Sequence, residues 1–310
     1  MIPGLETLTL PMPGELGSVN VHLLPLDSGY LLIDTGMNTP ESWESLRSQL
    51  GRRKIATIFL THNHPDHIGN ALALREKTGA RILMHRVDAE QTRYAAEVGR
   101  PVHFDEAVRI AGVPEDLRER MLRRLQDVRR NYTAIEPDWA LEGGETIVWR
   151  DGTLEAIWTP GHSLGHLCLY SAEHRTFISG DHILETTTPN VGWRAGLDPL
   201  GQYMQSLDRT AEIDATTVVP SHGPAFSGLK ERVETIAGHH DRRCEKILRN
   251  LDHGPLSAHE LVEKLWLRKL SSFHHHFAVT EVLAHLEFLR RRMPVEADVR
   301  DDGALVWSKN

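Results

Sequence analysis

The sequence predicts a mixed α/β (α+β) domain followed by a small helical domain that ends in a hairpin. Three observations carry this. Strand-like and helix-like segments alternate between residues 19 and 85, strands return between 146 and 220, and from residue 239 onward apolar positions recur at helical spacing. The 310 residues leave room for one ordinary domain and one small one.

The elements follow in order. Val19–Leu24 and Gly29–Asp34 read as strands, the second running into Thr35-Gly36. Ser42–Leu50 has helical spacing through Trp43, Leu46 and Leu50 and stops at Gly51. Ile55–Thr61 is an apolar strand, Asp66–Thr78 one helix ending at Gly79, and Arg81–His85 another strand. From about 86 to 140 the pattern becomes a helical insertion, with Leu117, Met121, Leu122, Leu125 and Val128 on one face and charges between them. Thr146–Trp149, Leu154–Thr159, Leu167–Tyr170, Thr176–Ser179 and Thr216–Pro220 are strands, with a helix at Pro199–Ile213. The tail gives a helix at Asp241–Leu251, and a second at Ser257–Leu265 opened by a Ser257/Glu260 capping box. A third helix follows at Thr280–Arg291, then a hairpin of Val295–Val299 with Ala304–Ser308. Three helices and a hairpin are the order of a winged helix. The domains expected are therefore 1–238 and 239–310.

Composition narrows the function. The net charge is −8, and residues 239–310 carry 12 basic against 11 acidic residues, so the acidity lies in 1–238. That disfavours bulk nucleic-acid binding. No apolar run approaches the ~18 residues of a membrane span. The N-terminus has no leader pattern, and Cys168 and Cys244 stand alone, which points to a reducing cytoplasm. Histidine is abundant, at 19 residues. It is the commonest metal ligand.

The histidines are densest in Thr61-His62-Asn63-His64-Pro65-Asp66-His67, directly after a strand. In an extended segment residues two apart face the same way, so His62 and His64 can reach one ion, while Asp66 and His67 open the next helix. His162, Asp181 and His222 each follow a strand and a tight turn, where a rigid element fixes a side chain and the turn exposes it. Five histidines and two aspartates without a thiolate suit zinc best, manganese and iron less well, and suffice for two ions. His22, His85, His103, His174 and His253 read as structural or surface residues.

With these motifs, together with Asp34-Thr35-Gly36, Gly161-His162, Ser179-Gly180-Asp181 and Ser221-His222-Gly223, residues 1–238 resemble the metallo-β-lactamase superfamily. The resemblance implies an αββα sandwich with metals at one edge between its sheets. It implies a first metal on His62, His64 and His162, a second on Asp66, His67 and His222, and Asp181 bridging them. The tail is similar to the winged-helix domain of the β-lactamase-like protein 2 branch.

Two metals about 3.5–4 Å apart would clamp a bridging water and make it hydroxide near pH 7, able to attack a carbonyl carbon or a phosphorus. Asp66 is the candidate catalytic residue, orienting the nucleophile and passing its proton to the leaving group. Flavodiiron relatives carry Glu where this chain has His64, which disfavours oxygen reduction. Quorum-sensing lactonases often carry Tyr where this chain has Leu184, with His182 beside the bridge as an outer partner of the site or a donor to substrate. Many relatives have Gly-Gly where this chain has Ile68-Gly69-Asn70.

The expected function is a binuclear, zinc-dependent hydrolase of a small ester, thioester or related acyl substrate. Tyr94, Phe104, Tyr132 and Trp139 are pocket-wall candidates, and a homo-oligomer is allowed. Trp266, Phe273 and Phe277 would help the C-terminal domain form a wall. The second reading is an endoribonuclease that uses Arg118, Arg120, Arg123, Arg124, Arg129 and Arg130 of the insertion. A mono-iron thiol dioxygenase and a binding module rank below it. His274–His276 suggest a loop between helices rather than another metal site.

Overall fold

The computed structural model describes residues 1–14, 17–127, 132–268 and 270–310, apart from the side chains of 124–127 and Phe273. Val128, Arg129 and Arg130 lie outside the described residues, as do the side chains of Arg124, Leu125 and Phe273. Two sheets form the centre. The first contains β1 (Glu6–Pro11), β2 (Ser18–Leu26), β3 (Gly29–Ile33), β4 (Ile55–Leu60), β5 (Arg81–His85) and β6 (Trp139–Leu141), in that spatial order. Strands β1 to β3 pair antiparallel and β3 to β6 parallel. The second contains β7 (Thr146–Trp149), β8 (Gly152–Trp158), β9 (Leu167–Ser171), β10 (Thr176–Gly180) and β11 (Thr217–Pro220), with β10 and β11 its parallel pair.

Strand alternation puts successive side chains on opposite faces, and here both faces are covered. In β4, Ile58 and Leu60 pack toward α1 (Pro40–Leu50) and α3 (Ala71–Thr78), against Leu46, Leu50 and Leu74. Phe59, between them in sequence, faces the other sheet and meets Leu31, Ile33, Leu154, Leu169 and Ile178. In β10, Phe177 turns outward to α7 (Pro199–Ala211) and α8 (Leu229–Leu251), against Leu200, Tyr203, Leu207, Val233 and Ile236. The result is the αββα sandwich expected.

The tail adds α9 (Ala258–Leu265) and α10 (Ser272–Arg290), then the sheet β12 (Leu256–Ser257), β14 (Leu305–Lys309), β13 (Val295–Val299). The Ser257/Glu260 capping box is present. Helix α8 is longer than its apolar spacing suggests. It runs unbroken through residues 238 and 239, so the two parts share a helix.

Three differences from the sequence reading have physical causes. The helix expected over 66–78 is split into α2 (Pro65–Ile68) and α3. Residues 36–38 cross over Gly69, where a Cβ would sit 2.3 Å from the Asn38 nitrogen, and Asn70 Nδ2 donates to the carbonyls of Thr35 and Met37. His274–His276 lie in α10, not in a loop: Ser271 caps that helix by accepting from the His274 nitrogen. The insertion expected over about 86–140 does not stay helical to its end, because its last residues pair with β5. It comprises α4 (Arg86–Val98), α5 (Phe104–Ile110) and α6 (Glu115–Asp127) and ends in the edge strand β6. Phe104, Val108 and Met121 share one core with Ile247, Leu261, Val282 and Leu286 of the tail.

Phe104 is buried, and its ring lies 4.8 Å from that of His276 in α10. Phe104→Ala is expected to cost about 3–5 kcal/mol in urea denaturation. Insertion and tail should still unfold in one transition; two separated transitions would show that they do not share a core.

Candidate metal centre

Strands β4, β8, β10 and β11 end at one edge of the sandwich, and each delivers ligand-type side chains into the same small volume. His62 and His64 leave β4 in extended backbone, with His62 Nε2 and His64 Nδ1 3.0 Å apart. Asp66 and His67 come from α2, His162 from the turn after β8, Asp181 from the turn after β10 and His222 from the loop after β11. Two donor groups result: His62, His64, His162 and Asp181 in one, Asp66, His67 and His222 in the other, with donor atoms in each lying within 4.8 Å of one another.

Asp181 stands between them. Its Oδ2 is 3.5 Å from His162 Nε2 and 3.6 Å from His67 Nε2, and its Oδ1 is 3.5 Å from His222 Nε2. Asp66 Oδ2 lies 3.4 Å from His222 Nε2 and 3.6 Å from His67 Nε2. All seven metal-ligand residues expected from the sequence are brought together.

The far side of each ring explains why the near side is free. His67 Nδ1 donates to Asp34 at 2.7 Å, His162 Nδ1 to the Asn190 carbonyl at 2.7 Å and His222 Nδ1 to the Ser18 carbonyl at 2.8 Å. The Thr61 hydroxyl donates to Asp34, so it accepts from His62 Nδ1 at 3.0 Å. Each bond fixes the tautomer that aims Nε2 inward, the arrangement metal-binding histidines use. Correspondingly, His67 Nε2, His162 Nε2 and Asp181 Oδ1 are buried without a hydrogen-bond partner. Buried polar atoms are rarely left so. A pair of divalent cations fits these donors, and nitrogen with carboxylate oxygen is a donor set that zinc accepts readily.

The electrostatics agree. Burial holds His64 down at about 3 and lowers His62 and His162, leaving neutral rings with lone pairs. In the other group burial also opposes charge, but the carboxylates win: Asp181 and Asp66 lift His222 to about 10 and His67 well above its usual value. Burial likewise raises Asp66, yet His67 and His222 outweigh it and hold Asp66 at about 2. This half of the site demands positive charge, whether from protons or from cations.

Three supports escape the sequence reading. Asp34 reads there only as part of a turn. Its carboxylate also accepts from the Thr61 nitrogen at 2.8 Å and from the Ser221 hydroxyl. Asp88, in α4, accepts from the Asn63 nitrogen, the Ser163 hydroxyl and the Gly165 nitrogen, tying the His62–His64 loop to the His162 loop. His166 lies beneath Asp181, accepting from its backbone nitrogen at 3.1 Å through Nε2, so its Nδ1 donates to the Thr159 hydroxyl. Gly180 permits this: its φ is +53°, and a Cβ there would be 2.8 Å from His166 Nε2. None of the three belongs to the ligand set, and only long-range contact reveals them. His182 is buried too, but its Nε2 donates to Thr210 of α7 and it does not line the cavity, so it is not placed to donate to substrate.

A cavity of about 720 Å³ opens on the centre, with His64, Asp66, His162 and Asp181 at its floor. Its walls are apolar and come from four places: Met12 before β2, Phe104 and Met121 of the insertion, Trp193 of the segment between β10 and α7, and Phe277 of α10. Of the expected pocket residues Phe104 and Tyr132 line it. Tyr94 is exposed on α4, and Trp139 is exposed on the edge strand β6, where it lines a different hollow of about 400 Å³. Phe277 lines the cavity, whereas Trp266 lies under the Arg243 guanidinium, 4.1 Å from ring centre to carbon.

The family model described as "Metallo-beta-lactamase superfamily" matches residues 14–222, and one for a metallo-beta-lactamase-like C-terminal domain matches 244–310. The chain is 26% identical to a probable metallo-hydrolase, YqjP, of Bacillus subtilis, with 84% of each chain covered. It is 24% identical to a beta-lactamase-like protein 2 homolog of Caenorhabditis elegans, covering 83% of this chain and 73% of that protein. It is also 24% identical to an atrochrysone carboxyl ACP thioesterase of Aspergillus fumigatus, covering 76% and 61%. Among solved structures, the metallo-beta-lactamase family protein TTHA1429 of Thermus thermophilus matches with a TM-score of 0.84 at 30% identity, over 100% of this chain and 99% of that one.

Two outcomes are expected. At pH 7–8 His222, with its pKa near 10, carries a proton that a metal must displace, so zinc binding should release protons and its apparent affinity should rise with pH. Titration calorimetry in buffers of different ionisation enthalpy reads the proton count; zero would contradict the site. Asp88→Asn turns an N–H₂ toward one of three donors. It should weaken zinc retention about 10–100-fold, read by competition with a chelator.

Proposed function

Because the chain belongs to the metallo-β-lactamase superfamily, we propose that it is a binuclear zinc-dependent hydrolase of small ester or thioester substrates, working in the cytoplasm. The observation that carries this reading is Asp181, shared by two donor groups at the floor of a large apolar cavity. The size suits a drug-sized organic molecule rather than an open polymer groove. The thioesterase named among the relatives supports acyl chemistry.

The chemistry such ions supply when bound is a water made acidic, from a pKa of 15.7 toward about 7, and charge stabilisation on the substrate oxygen. The residues supply the rest. His62, His64 and His162 stay neutral and act as donors. The Thr61 hydroxyl, the Asn63–Asp88 bond and the Asn190 carbonyl keep their rings and loops from turning away. Asp66 lines the cavity and is ionised at neutral pH. It is placed to accept a proton from the attacking water and return it to the leaving oxygen or sulfur. The apolar wall of insertion and tail excludes bulk water and holds the acyl chain.

We read residues 1–238 as the catalytic part and 239–310 as a winged-helix-like part whose α10 completes the cavity. No helix of the described residues is long and apolar enough to cross a membrane. The endoribonuclease reading needs a basic surface. Arg118, Arg120 and Arg123 of α6 are instead each paired with an acidic residue one turn away, Glu115, Asp116 and Glu119. Arg290 and Arg291 bond Glu287, and Arg292 bonds Asp198. One ion per chain, rather than two, would favour the mono-iron alternative.

Zinc-loaded protein is expected to hydrolyse aryl esters or acyl thioesters and to leave single-stranded RNA intact. Asp66→Ala should lower kcat by about 10²–10⁴-fold. RNA cleavage that disappears in the same variant would replace this reading with the nuclease.

A further inference from the structure

Apart from its histidines, the cavity lining contains few charged side chains. Among the described residues its acidic members are Asp66 and Asp181, both in the donor groups, and its one permanent cation is Arg194. Arg194 has five N–H donors, and among the described residues one is used, in a long bond of 3.4 Å from Nη1 to the Val102 carbonyl. The charge it feels is that of Asp88, and the Asp88 carboxylate already accepts from Asn63, Ser163 and Gly165. Within the described residues no carboxylate forms an ion pair with Arg194. The neighbouring His276 is held neutral by burial and by Arg194 itself, near 4. A half-buried guanidinium whose one nearby carboxylate is already held by three other donors is costly to leave so, and an incoming anion would meet it.

Its position is fixed relative to the metal centre. The Asn190 carbonyl holds His162 Nδ1, and three residues on the Trp193 nitrogen donates to the Thr280 carbonyl of α10. One short loop therefore sets both a metal ligand and the arginine. The same cavity lining includes the apolar Val102, Phe104 and Trp193.

We propose that Arg194 binds a carboxylate at the far end of the acyl chain, so that the substrates are monoesters or monothioesters of dicarboxylic acids. This rests on the acyl-hydrolase reading above and adds specificity to it. The planar guanidinium matches a carboxylate with two parallel hydrogen bonds, while the ester at the other end reaches the metals.

The test uses zinc-loaded protein and two esters of equal chain length, phenyl hydrogen glutarate and phenyl pentanoate. The acidic ester should be preferred about 10- to 100-fold in kcat/KM. Arg194→Met should abolish that preference mainly through KM, leave phenyl pentanoate turnover unchanged, and so report its own correct folding. Arg194→Lys should recover part of it. Equal use of both esters by the unaltered protein, or a preference that survives in Arg194→Met, overturns the proposal and leaves the acyl-hydrolase reading standing. Binding separates the two further. The unreactive glutaric acid monoamide should bind the unaltered protein about tenfold tighter than glutaramide by calorimetry, and not so in Arg194→Met. That binding difference without turnover of either ester would sink the hydrolase reading and uphold the anion site.

Discussion

At the end of β3 one carboxylate gathers four parts of the chain. Asp34 accepts from the backbone and hydroxyl of Thr61, from His67 Nδ1 and from the Ser221 hydroxyl. It thereby locks the ends of β3 and β4, the short helix that carries Asp66, and the loop that carries His222. It does this from a left-handed backbone with φ of 62°, a conformation aspartate tolerates better than most residues and one that holds only where surrounding bonds over-determine it. Remove that anion and the tautomers of His62 and His67 lose their fixed partners. The donors then have no reason to converge.

Much of this is written locally. Apolar runs mark β3, β4, β9 and β10 because both faces of each are buried. The donor residues are legible because each stands within a few residues of a strand end, leaving little freedom between signal and position. What is not legible depends on distant contacts. The break at Gly69 comes from residues 36–38 crossing the helix, and within 66–78 only the Gly69-Asn70 pair hints at it. Asp88 looks like any helix acid until Ser163 and Gly165, more than seventy residues later, are seen to donate to it. The edge strands β1 and β6 are absent from the sequence reading. The Thr7-Leu8-Thr9-Leu10 alternation does carry the signal for β1, with Leu8 and Leu10 turned inward.

The pocket shows the same limit. Aromatic residues of the insertion are reasonable wall candidates, yet Tyr94 and Trp139 face outward while Phe104 and Tyr132 face in. Helical phase cannot decide which side of an amphipathic element meets a partner still unknown. The partner here is the tail: α5 and α6 bury their apolar stripes against α8, α9 and α10, and α10 in turn presents Phe277 and Thr280 to the cavity. The cavity wall is therefore a joint product of two segments far apart in sequence, whereas the donor groups belong to the sandwich alone.

That joint core has a consequence for synthesis. The sandwich strands and every residue of the two donor groups have left the ribosome once residue 222 is out, but Phe104, Val108 and Met121 must wait for Val282 and Leu286. An apolar face left uncovered in that interval would be prone to aggregation. The nascent chain can thus assemble its donor groups before its cavity has walls, and completion of α10 is the event that encloses them.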